Sequence, residues 1–437
     1  MALSDVSSKT TELVERYKKV MFPAVTPYYG EQPVAIDYAK DQYVYDVEGR
    51  RYLDFFGGVL TVSVGHCNEE ITRRTIEQLQ KAQHTSTLYI NEIMIRVAEK
   101  VAELAPGRLQ KCYFTNSGSE ANETAILAAR MYTGNQDVIT LRHAYSGRTM
   151  LAMSLTAHGT WRLGGAVDPH IKHVRNPYVY RAPVGLTPEQ LVDLCVQDLE
   201  ETLATVTNGK IAAFIAEPIQ GVGGFIVPPE DYFKRVVPII REAGGVFIAD
   251  EVQTGWGRTG QKWFGIEQWG VEPDMMTFAK GMANGSPIGC TIATPEIADA
   301  LQGLTFSTFG GNPVTMATAL ATIEYIEENN LLENATVQGG RLRQRLEELK
   351  AEFPFIGDVR GMGLMQAVEI VKPGTDKVPD AALTAAVMSA ARDNDLLIGK
   401  GGLYGNVLRI SPHLNVSGAD MEAGCDLLAK ALTQVAH

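Results

Sequence analysis

Residues 246–255 read Val246-Phe247-Ile248-Ala249-Asp250-Glu251-Val252-Gln253-Thr254-Gly255, an apolar run that stops at two adjacent carboxylates. Four successive apolar side chains predict a short strand that is buried on both faces. A carboxylate at the end of such a strand costs free energy unless it has a cationic partner or a chemical function. Asp250 is therefore a candidate functional residue, with a structural ion pair as the alternative explanation.

Other apolar runs repeat this pattern and alternate with helical stretches. Strands are predicted at residues 111–115, 138–141, 211–216, 246–249 and 275–279. Strands that are apolar on both faces and separated by helices predict an α/β fold with a mostly parallel central sheet. After Gly310, long helices enclose a few strands, among them residues 363–370, which predicts a smaller α+β domain.

The small domain is expected to be built from both chain ends. We predict that residues 1–60 form an N-terminal segment that packs with it. Residues 61–312 are predicted to form the large domain, and residues 313–437 the C-terminal small domain. Within the N-terminal segment, two short runs at residues 43–46 and 51–54 predict a hairpin.

The composition excludes several classes of protein. Of the 437 residues, 45% are apolar and 21% charged, which is typical of a globular chain rather than a disordered one. The net charge of −12 argues against a nucleic-acid partner, and no apolar run approaches the roughly 20 residues of a membrane helix. The cysteines form no Cys-x-x-Cys pair. The spacing of the histidines is not that of metal ligands, so no metal is predicted. Structural roles are therefore assigned to His66, His84, His143 and His173. No secretory signal is evident at the N-terminus, and a cytoplasmic protein is expected.

Three other strand ends carry polar residues. Ser117-Gly118-Ser119-Glu120 follows the strand at 111–115 and is typical of a capped helix start, whose free N–H groups suit a phosphate. Glu217 follows the strand at 211–216, and Lys280 follows the strongly apolar run at 275–279. Taken singly, the first two have ordinary structural explanations, a plain helix cap and an ion pair, and one buried lysine is weak evidence.

Their combination predicts a cofactor. The carboxyl ends of parallel strands meet at one edge of a sheet, which brings these residues together. Desolvation makes a lysine amine nucleophilic toward a carbonyl, and so able to form a Schiff base. Pyridoxal 5′-phosphate needs a phosphate cradle, a carboxylate for its ring nitrogen and a lysine for its aldehyde. Residues 117–120, Asp250 and Lys280 supply all three.

The chain resembles the class III aminotransferases, which are pyridoxal-phosphate enzymes of fold type I. Within them it is most similar to the alanine–glyoxylate type and to bacterial ω-amino-acid or amine–pyruvate transaminases. The motifs that carry the resemblance are Asn116-Ser117-Gly118-Ser119-Glu120-Ala121-Asn122, Glu217-Pro218-Ile219-Gln220-Gly221, Ala249-Asp250-Glu251-Val252-Gln253-Thr254-Gly255, Ala279-Lys280-Gly281 and Thr308-Phe309-Gly310-Gly311-Asn312-Pro313.

The resemblance implies a role for each motif residue. Lys280 would be the catalytic residue that holds the Schiff base and moves the proton, and Asp250 would pair with the ring nitrogen. The other implied cofactor contacts are Ser117, Gly118 and Ser119 at the phosphate, Tyr145 and Val252 on the ring faces, Gln253 and Glu217 near the phenolic oxygen, and Thr308 at the phosphate from the neighbouring subunit. The shared Thr308 implies a homodimer, with a tetramer built on it left open.

Substrate residues are implied by the same resemblance. Arg409 would bind the α-carboxylate, and Arg148 matches an arginine that holds the distal carboxylate in 4-aminobutyrate enzymes. Val222 stands where such enzymes often carry a glutamate, which disfavours that activity. We therefore expect transfer of an amino group from an ω-amino acid, amine or alanine to pyruvate or glyoxylate in a ping-pong cycle. The alternatives are a 4-aminobutyrate-type aminotransferase, a class III decarboxylase or aminomutase, and a non-catalytic homologue that only binds the cofactor.

Overall fold

A mixed sheet lies at the centre of the computed structural model, which describes residues 8–25, 27–30, 32–164 and 168–436. The described strands are β1 (Ile36–Lys40), β2 (Tyr43–Asp46), β3 (Arg51–Asp54), β4 (Lys111–Thr115), β5 (Val138–Leu141), β6 (Ile171–Val174), β7 (Ala213–Ala216), β8 (Val246–Asp250), β9 (Met275–Phe278), β10 (Gly289–Ala293), β11 (Ile356–Met362), β12 (Met365–Ile370), β13 (Leu396–Leu397), β14 (Gly399–Gly401) and β15 (Val407–Ile410). The central sheet has the order β4-β10-β9-β8-β7-β5-β6. Its strands β5 to β9 pair in parallel, while β10 is antiparallel to both neighbours. The prediction of a mostly parallel sheet is confirmed.

Helices cover both faces of this sheet and fill the rest of the fold. The described α-helices are α1 (Ser8–Val20), α2 (Gly57–Leu60), α3 (Glu69–Lys81), α4 (Glu92–Leu104), α5 (Gly118–Thr133), α6 (Met150–Leu155), α7 (Pro188–Val206), α8 (Tyr232–Glu242), α9 (Pro295–Ala300), α10 (Pro313–Glu328), α11 (Leu331–Glu352), α12 (Ala381–Asp393) and α13 (Gly418–Ala436). Every residue of β7, β8 and β9 is buried. This burial explains why these strands are apolar on both faces.

The strand directions place the polar motifs at one edge of the sheet. Strands β7, β8 and β9 run in parallel, so Ala216, Asp250 and Phe278 end at the same edge. Strand β4 joins them because β10, which lies between β4 and β9, is antiparallel to both. The residues that follow these four strands are those singled out in the sequence.

Two smaller sheets involve the chain ends. The predicted hairpin of β2 and β3 is confirmed by their antiparallel pairing. Strand β3 also pairs in parallel with β13, with Leu53 opposite Leu396, so N-terminal and C-terminal segments share one sheet of order β1-β2-β3-β13. A further sheet has the order β11-β12-β15-β14 and contains Arg409 in β15. The domain boundaries at residues 60 and 312 stay predictions.

Two predicted strands begin later than expected. Strand β12 starts at Met365 rather than at residue 363, because Gly363 has a φ of 51° and turns the chain back from β11. The predicted strand at 211–216 starts at Ala213, because the N–H of Ile211 bonds to the carbonyl of Ala243 instead of a strand neighbour. Within the described residues, no helix has both the length and the apolar character needed to cross a membrane.

Candidate active site

A cavity of about 290 Å³ opens at the carboxyl edge of the central sheet. It brings together nine residues that the sequence singled out: Ser117, Gly118, Ser119, Tyr145, Glu217, Asp250, Val252, Gln253 and Lys280. The other lining residues are Thr61, Asn116, Asn122, Ser146, Gly147, Ala279, Gly285, Ser286, Pro287 and Ile288. The residues therefore converge as the strand-end argument predicts.

Lys280 stands at the start of a 3₁₀ turn directly after β9. Its φ of 44° lies in the left-handed region, which is strained for a residue with a Cβ and common at functional sites. Burial lowers the pKa of the Lys280 amine, and the nearby Arg409 adds to this, while Asp250 and Glu217 oppose it. A lowered pKa increases the fraction of neutral amine, which is the form that reacts with a carbonyl.

Asp250 is held by a polar residue that the sequence analysis quoted but assigned no role. The side-chain amide of Asn122 donates to Asp250 Oδ2 at 2.8 Å and to the carbonyl of Ser146 at 2.9 Å. The hydroxyl of Thr277 donates to Asn122 Oδ1 at 2.7 Å, which fixes the orientation of the amide. The sequence did contain one indication of this role, because Asn122 is a polar residue on the buried face of the alanine-rich helix α5. Burial raises the pKa of Asp250, and the Asn122 hydrogen bond opposes that rise.

The N-terminus of α5 faces the cavity. Ser117 caps the helix by accepting from the N–H of Glu120 at 3.3 Å. The reciprocal bond of the predicted capping box is shifted, because the Glu120 carboxylate accepts from the N–H of Asn116 at 2.8 Å and from the Ser117 hydroxyl. A Cβ on Gly118 would come within 3.1 Å of the Val252 side chain, so glycine allows the helix start to approach β8 closely.

A second buried carboxylate, Glu217, lies across the cavity from the helix. It accepts from the N–H of Tyr145 at 3.1 Å and from the N–H of Gly221 at 2.7 Å. Burial, reinforced by the charge of Asp250, raises the pKa of Glu217 to about 8. Gln253 packs over Gly221, and among the described residues its buried Oε1 finds no hydrogen-bond partner.

The sequence matches the profile of the family Aminotransferase class-III over residues 25–432. This chain belongs to the class III aminotransferases. It is 40% identical over 403 residues to alanine–glyoxylate aminotransferase 2 homolog 2, mitochondrial, of Arabidopsis thaliana, covering 92% of this chain and 83% of that protein. It is 36% identical over 446 residues to alanine–glyoxylate aminotransferase 2, mitochondrial, of Homo sapiens, covering 97% of this chain and 86% of that protein.

A solved structure confirms the fold. The (S)-enantioselective omega-transaminase from Thermomicrobium roseum superposes with a TM-score of 0.90 at 35% identity, covering 98% of this chain and 99% of that one. The resemblance, the fold-type-I architecture and the assignment as an enzyme are confirmed. Class III aminotransferases depend on pyridoxal 5′-phosphate, so the predicted cofactor and the transamination reaction are confirmed with them.

The residues of this class III aminotransferase fit that cofactor. The first N–H groups of α5 lack intrahelical acceptors and point a positive helix end at the cavity, as a phosphate requires. The charge of the buried Asp250 would be stabilised by a nearby cation, and a protonated ring nitrogen would supply one. The unpartnered Oε1 of Gln253 offers a further polar contact.

Arg409 lies buried behind this cavity without lining it. Its Nε donates to the carbonyl of Lys400 at 3.0 Å, and its guanidinium stands 4.9 Å from the ring centre of Phe56. Its Nη1 is buried and has no partner among the described residues. Burial lowers the pKa of Arg409, and Tyr28 and Glu217 oppose that shift. A buried guanidinium with an unused donor suits a carboxylate ligand.

Two of the singled-out residues lie elsewhere. Among the described residues that line the Lys280 cavity, neither Thr308 nor Arg148 is found. Thr308 is exposed and lines a separate surface groove with Phe306 and Phe309. Arg148 is exposed, and its N–H donates to the hydroxyl of Ser119 at 3.1 Å. The implied roles of both residues stay predictions.

Proposed function

We propose that this enzyme transfers the amino group of an ω-amino acid, an amine or alanine to a small keto acid, pyruvate or glyoxylate, in a ping-pong cycle. The observation that carries the proposal is the buried Arg409, whose Nη1 has no hydrogen-bond partner among the described residues. The charge of Arg409 contributes to the lowered pKa of Lys280, which supports a carboxylate-binding role for this guanidinium on the Lys280 side of the fold. Pyruvate, glyoxylate and alanine each carry one carboxylate beside the carbon that reacts.

The cofactor would be held by three groups of residues. Ser117, Gly118 and Ser119 would bind its phosphate, with the partner subunit's Thr308 completing the cradle. Asp250 would hold the proton on the ring nitrogen, and Tyr145 and Val252 would flank the ring. Gln253 and Glu217 would contact its phenolic oxygen. When bound, pyridoxal 5′-phosphate supplies an aldehyde that carries the amino group and a ring that withdraws electrons from the substrate carbon.

Lys280 would be the general acid and base. Its Nζ would take the proton from the donor carbon and deliver it to the carbon of the former cofactor aldehyde, two bonds away across the shared nitrogen, and would do the reverse with the acceptor. The amine needs a pKa below that of a free lysine to accept this proton near neutral pH, and burial supplies that shift. Donor and acceptor exchange one amino group for one carbonyl oxygen, so no external oxidant is required.

The environment of Arg409 disfavours a 4-aminobutyrate enzyme. At the position where such enzymes often place a glutamate, this chain has Val222, whose side chain carries no charge and whose carbonyl accepts from Gly402 at 2.9 Å. The glutamate that often neutralises the matching arginine in 4-aminobutyrate enzymes is therefore missing here. Contact with the faces of Phe56 and Phe225 compensates part of the charge of Arg409.

A donor panel tests the proposal. With pyruvate as acceptor, we expect measurable turnover of β-alanine or 1-phenylethylamine, parallel lines in double-reciprocal plots, and weak turnover of 4-aminobutyrate. If Arg148 binds a distal carboxylate, the Arg148→Ala variant should reduce the turnover only of donors that carry such a carboxylate. Selective turnover of 4-aminobutyrate, or release of CO2 without amino transfer, would contradict the proposed specificity.

We also propose a homodimer as the working unit. Exposed apolar side chains cluster near Thr308, namely Leu88, Tyr89, Ile90, Leu304, Phe306 and Phe309. Some of them line a groove of about 820 Å³ in which Met94 and Phe114 also take part. Apolar patches of this kind mark protein interfaces. A second copy seated here would cover the patch and bring its Thr308 toward the neighbouring α5. Light scattering after gel filtration distinguishes monomer, dimer and tetramer.

Two further predictions belong to the same account. We propose that the chain ends form one small domain, because β3 and β13 share a sheet. Limited proteolysis that releases a fragment of residues 61–312 would support the domain boundaries.

A cytoplasmic location is proposed from the sequence alone, and cell fractionation tests it.

A further inference from the structure

Three side chains outside the cofactor cavity converge on one point. Asp54 ends β3, His66 lies in the loop before α3, and His413 follows β15. The Nε2 atom of His66 is 2.9 Å from Asp54 Oδ2, and the Nε2 atom of His413 is 3.9 Å from the same oxygen. One ligand atom of each residue lies within 4.8 Å of the others.

Hydrogen bonds fix the tautomer of His413. Its Nδ1 is 2.9 Å from Gln42 Oε1, and the amide nitrogen of Gln42 donates to Asn415 Oδ1 at 3.0 Å. Because Gln42 thus presents an oxygen, His413 Nδ1 must carry the proton. Its Nε2 therefore holds a lone pair. This side chain is fully buried, and among the described residues Nε2 has no hydrogen-bond partner.

The backbone holds these ligands in place. The N–H of Ser411 donates to the carbonyl of Phe55 at 2.7 Å, and the N–H of Leu414 donates to that of Ser63 at 2.6 Å. Asp54 uses its Oδ1 to accept from the N–H groups of Phe56 and Gly57, each at 2.9 Å, which leaves Oδ2 for another partner. Backbone hydrogen bonds therefore hold the segments that carry the three metal-ligand atoms.

We propose that Asp54, His66 and His413 form a binding site for a divalent transition-metal ion such as Zn²⁺. Two imidazole nitrogens and one carboxylate oxygen are ligands that zinc prefers, with a solvent molecule in the fourth position. Ligand atoms around a tetrahedral zinc lie about 3.4 Å apart, so the observed atoms need shifts of about 1 Å. His66 is 17% exposed, which gives an ion and a water a route to the site.

Binding would fix the tautomer of His66. Its Nε2 atom, which lies 2.9 Å from Asp54 Oδ2, can coordinate a metal only through a lone pair, so the ring hydrogen would have to be on Nδ1. Arg258 lies on the far side of His413, where its guanidinium donates to the carbonyls of Leu364 and Pro412. This neighbouring cation reduces the affinity, so we expect weaker binding than at sites with thiolates or two carboxylates.

The site would link three segments around the cofactor cavity. The loop between Asp54 and His66 contains Phe56, which stands beside Arg409, and Ser63, whose N–H donates to Asn284 just after Lys280. The His413 segment follows Arg409 itself in β15. A bound ion would therefore stabilise this arrangement without touching the reacting atoms. Sequence patterns could not predict this site, because its ligands lie on separate segments of the chain.

The test is a zinc titration of the holoenzyme after removal of adventitious metal by chelator. We expect one zinc per chain and a thermal midpoint higher by about 2–5 °C at saturating zinc. The H66N and H413N variants should bind at least about 100-fold more weakly, since loss of a ligand exceeds the 10- to 100-fold effect of losing a supporting contact. Wild-type protein that binds no zinc would show that the cluster is only a hydrogen-bonded Asp–His group, and would overturn the proposal.

Two control variants separate this site from other zinc ligands. His170 makes a similar 2.9 Å contact with Asp137, but within the part of the chain that the structure describes no third metal ligand joins this pair, so H170N should bind zinc as the wild type does. Cys67 is an exposed free thiol next to His66, and C67S should also retain binding. If H413N does not fold, the H66N variant alone tests the site, because the His66 side chain is only partly buried. Zinc binding by H66N equal to the wild type would refute the site.

Discussion

The side-chain amide of Asn122 donates a hydrogen bond of 2.8 Å to Asp250, and the hydroxyl of Thr277 fixes that amide from its other end. These hydrogen bonds connect α5 and β8 with β9, the strand that precedes Lys280. We infer that Asn122 is a positioning residue. Its hydrogen bond favours the ionised form of Asp250 and fixes the position of that carboxylate.

Replacing Asn122 by alanine should weaken cofactor binding by roughly 10- to 100-fold, because a hydrogen bond to a charged group contributes about 1.5–3 kcal/mol. Thr277→Val removes only the orienting hydroxyl and should weaken binding about three- to tenfold. The matched control is Thr291→Val, since Thr291 is equally buried and donates to the backbone of α5 at 2.7 Å, outside this network. Equilibrium dialysis of pyridoxal 5′-phosphate measures the affinities. Equal losses in the two threonine variants would contradict a role for this network.

The contribution of Glu217 to the stability of the cofactor-free protein should fall as the pH rises from about 4.5 to 8. Glu217 has a pKa of about 8 when folded and an ordinary value of 4.5 when unfolded. The folded state therefore holds a proton that the unfolded state has lost in this window, and the free energy of unfolding decreases with pH. Glu217→Gln should flatten the decrease, as measured by denaturant unfolding at several pH values.

Glu251 supplies the control for this experiment. It is fully buried outside the cofactor cavity, and burial raises its pKa to about 7. Glu251→Gln should flatten the pH dependence equally with and without the cofactor. The effect of Glu217→Gln on the pH dependence of unfolding should change when the cofactor is bound, because the cofactor would bring charges next to Glu217 and not next to Glu251. An identical response of both variants to the cofactor would argue against Glu217 as a cofactor contact.

Arg409→Ala should raise the KM for pyruvate by roughly 30- to 1,000-fold, which corresponds to the about 2–4 kcal/mol lost when one partner of a buried charge pair is removed. The half-reaction with a donor that lacks a carboxylate should change much less. Arg409→Lys keeps the charge but not the paired donors, and should recover only part of the loss. Stopped-flow measurement of each half-reaction separates these effects. Unchanged pyruvate kinetics in Arg409→Ala would contradict the assignment.

Mixing two inactive variants tests whether Thr308 acts across the dimer. Lys280→Ala lacks the catalytic amine, and Thr308→Arg should block the phosphate cradle that this residue serves. If Thr308 serves the neighbouring subunit, a mixed dimer contains one site with both native residues, and refolding the variants together should restore activity. If Thr308 served its own subunit, no mixed dimer would contain an intact site, and activity would stay absent.

The sequence predicted the central sheet and the convergence of Lys280, Asp250 and Glu217, because apolar strands that end in a charge reveal both burial and direction. It assigned no role to Asn122 because a buried amide in a helix is recognised only when its partners are known. The turn at Gly363 could not be predicted for a related reason: the chain there lies close to the backbone of Thr259, which is distant in sequence, and a Cβ would come within 2.4 Å of it. Local patterns report burial and strand direction, whereas contacts between distant segments require the folded chain.

The central claim is that Lys280 carries the cofactor in the cavity at the carboxyl edge of the sheet. Borohydride reduction of the holoenzyme, followed by proteolysis and mass spectrometry, locates the lysine that is joined to the cofactor. We expect the peptide containing Lys280 to carry the cofactor mass and the Lys280→Ala protein to carry none. Cofactor mass on a different lysine of the wild-type protein, with Lys280 unmodified, would show that Lys280 is not the cofactor-binding lysine.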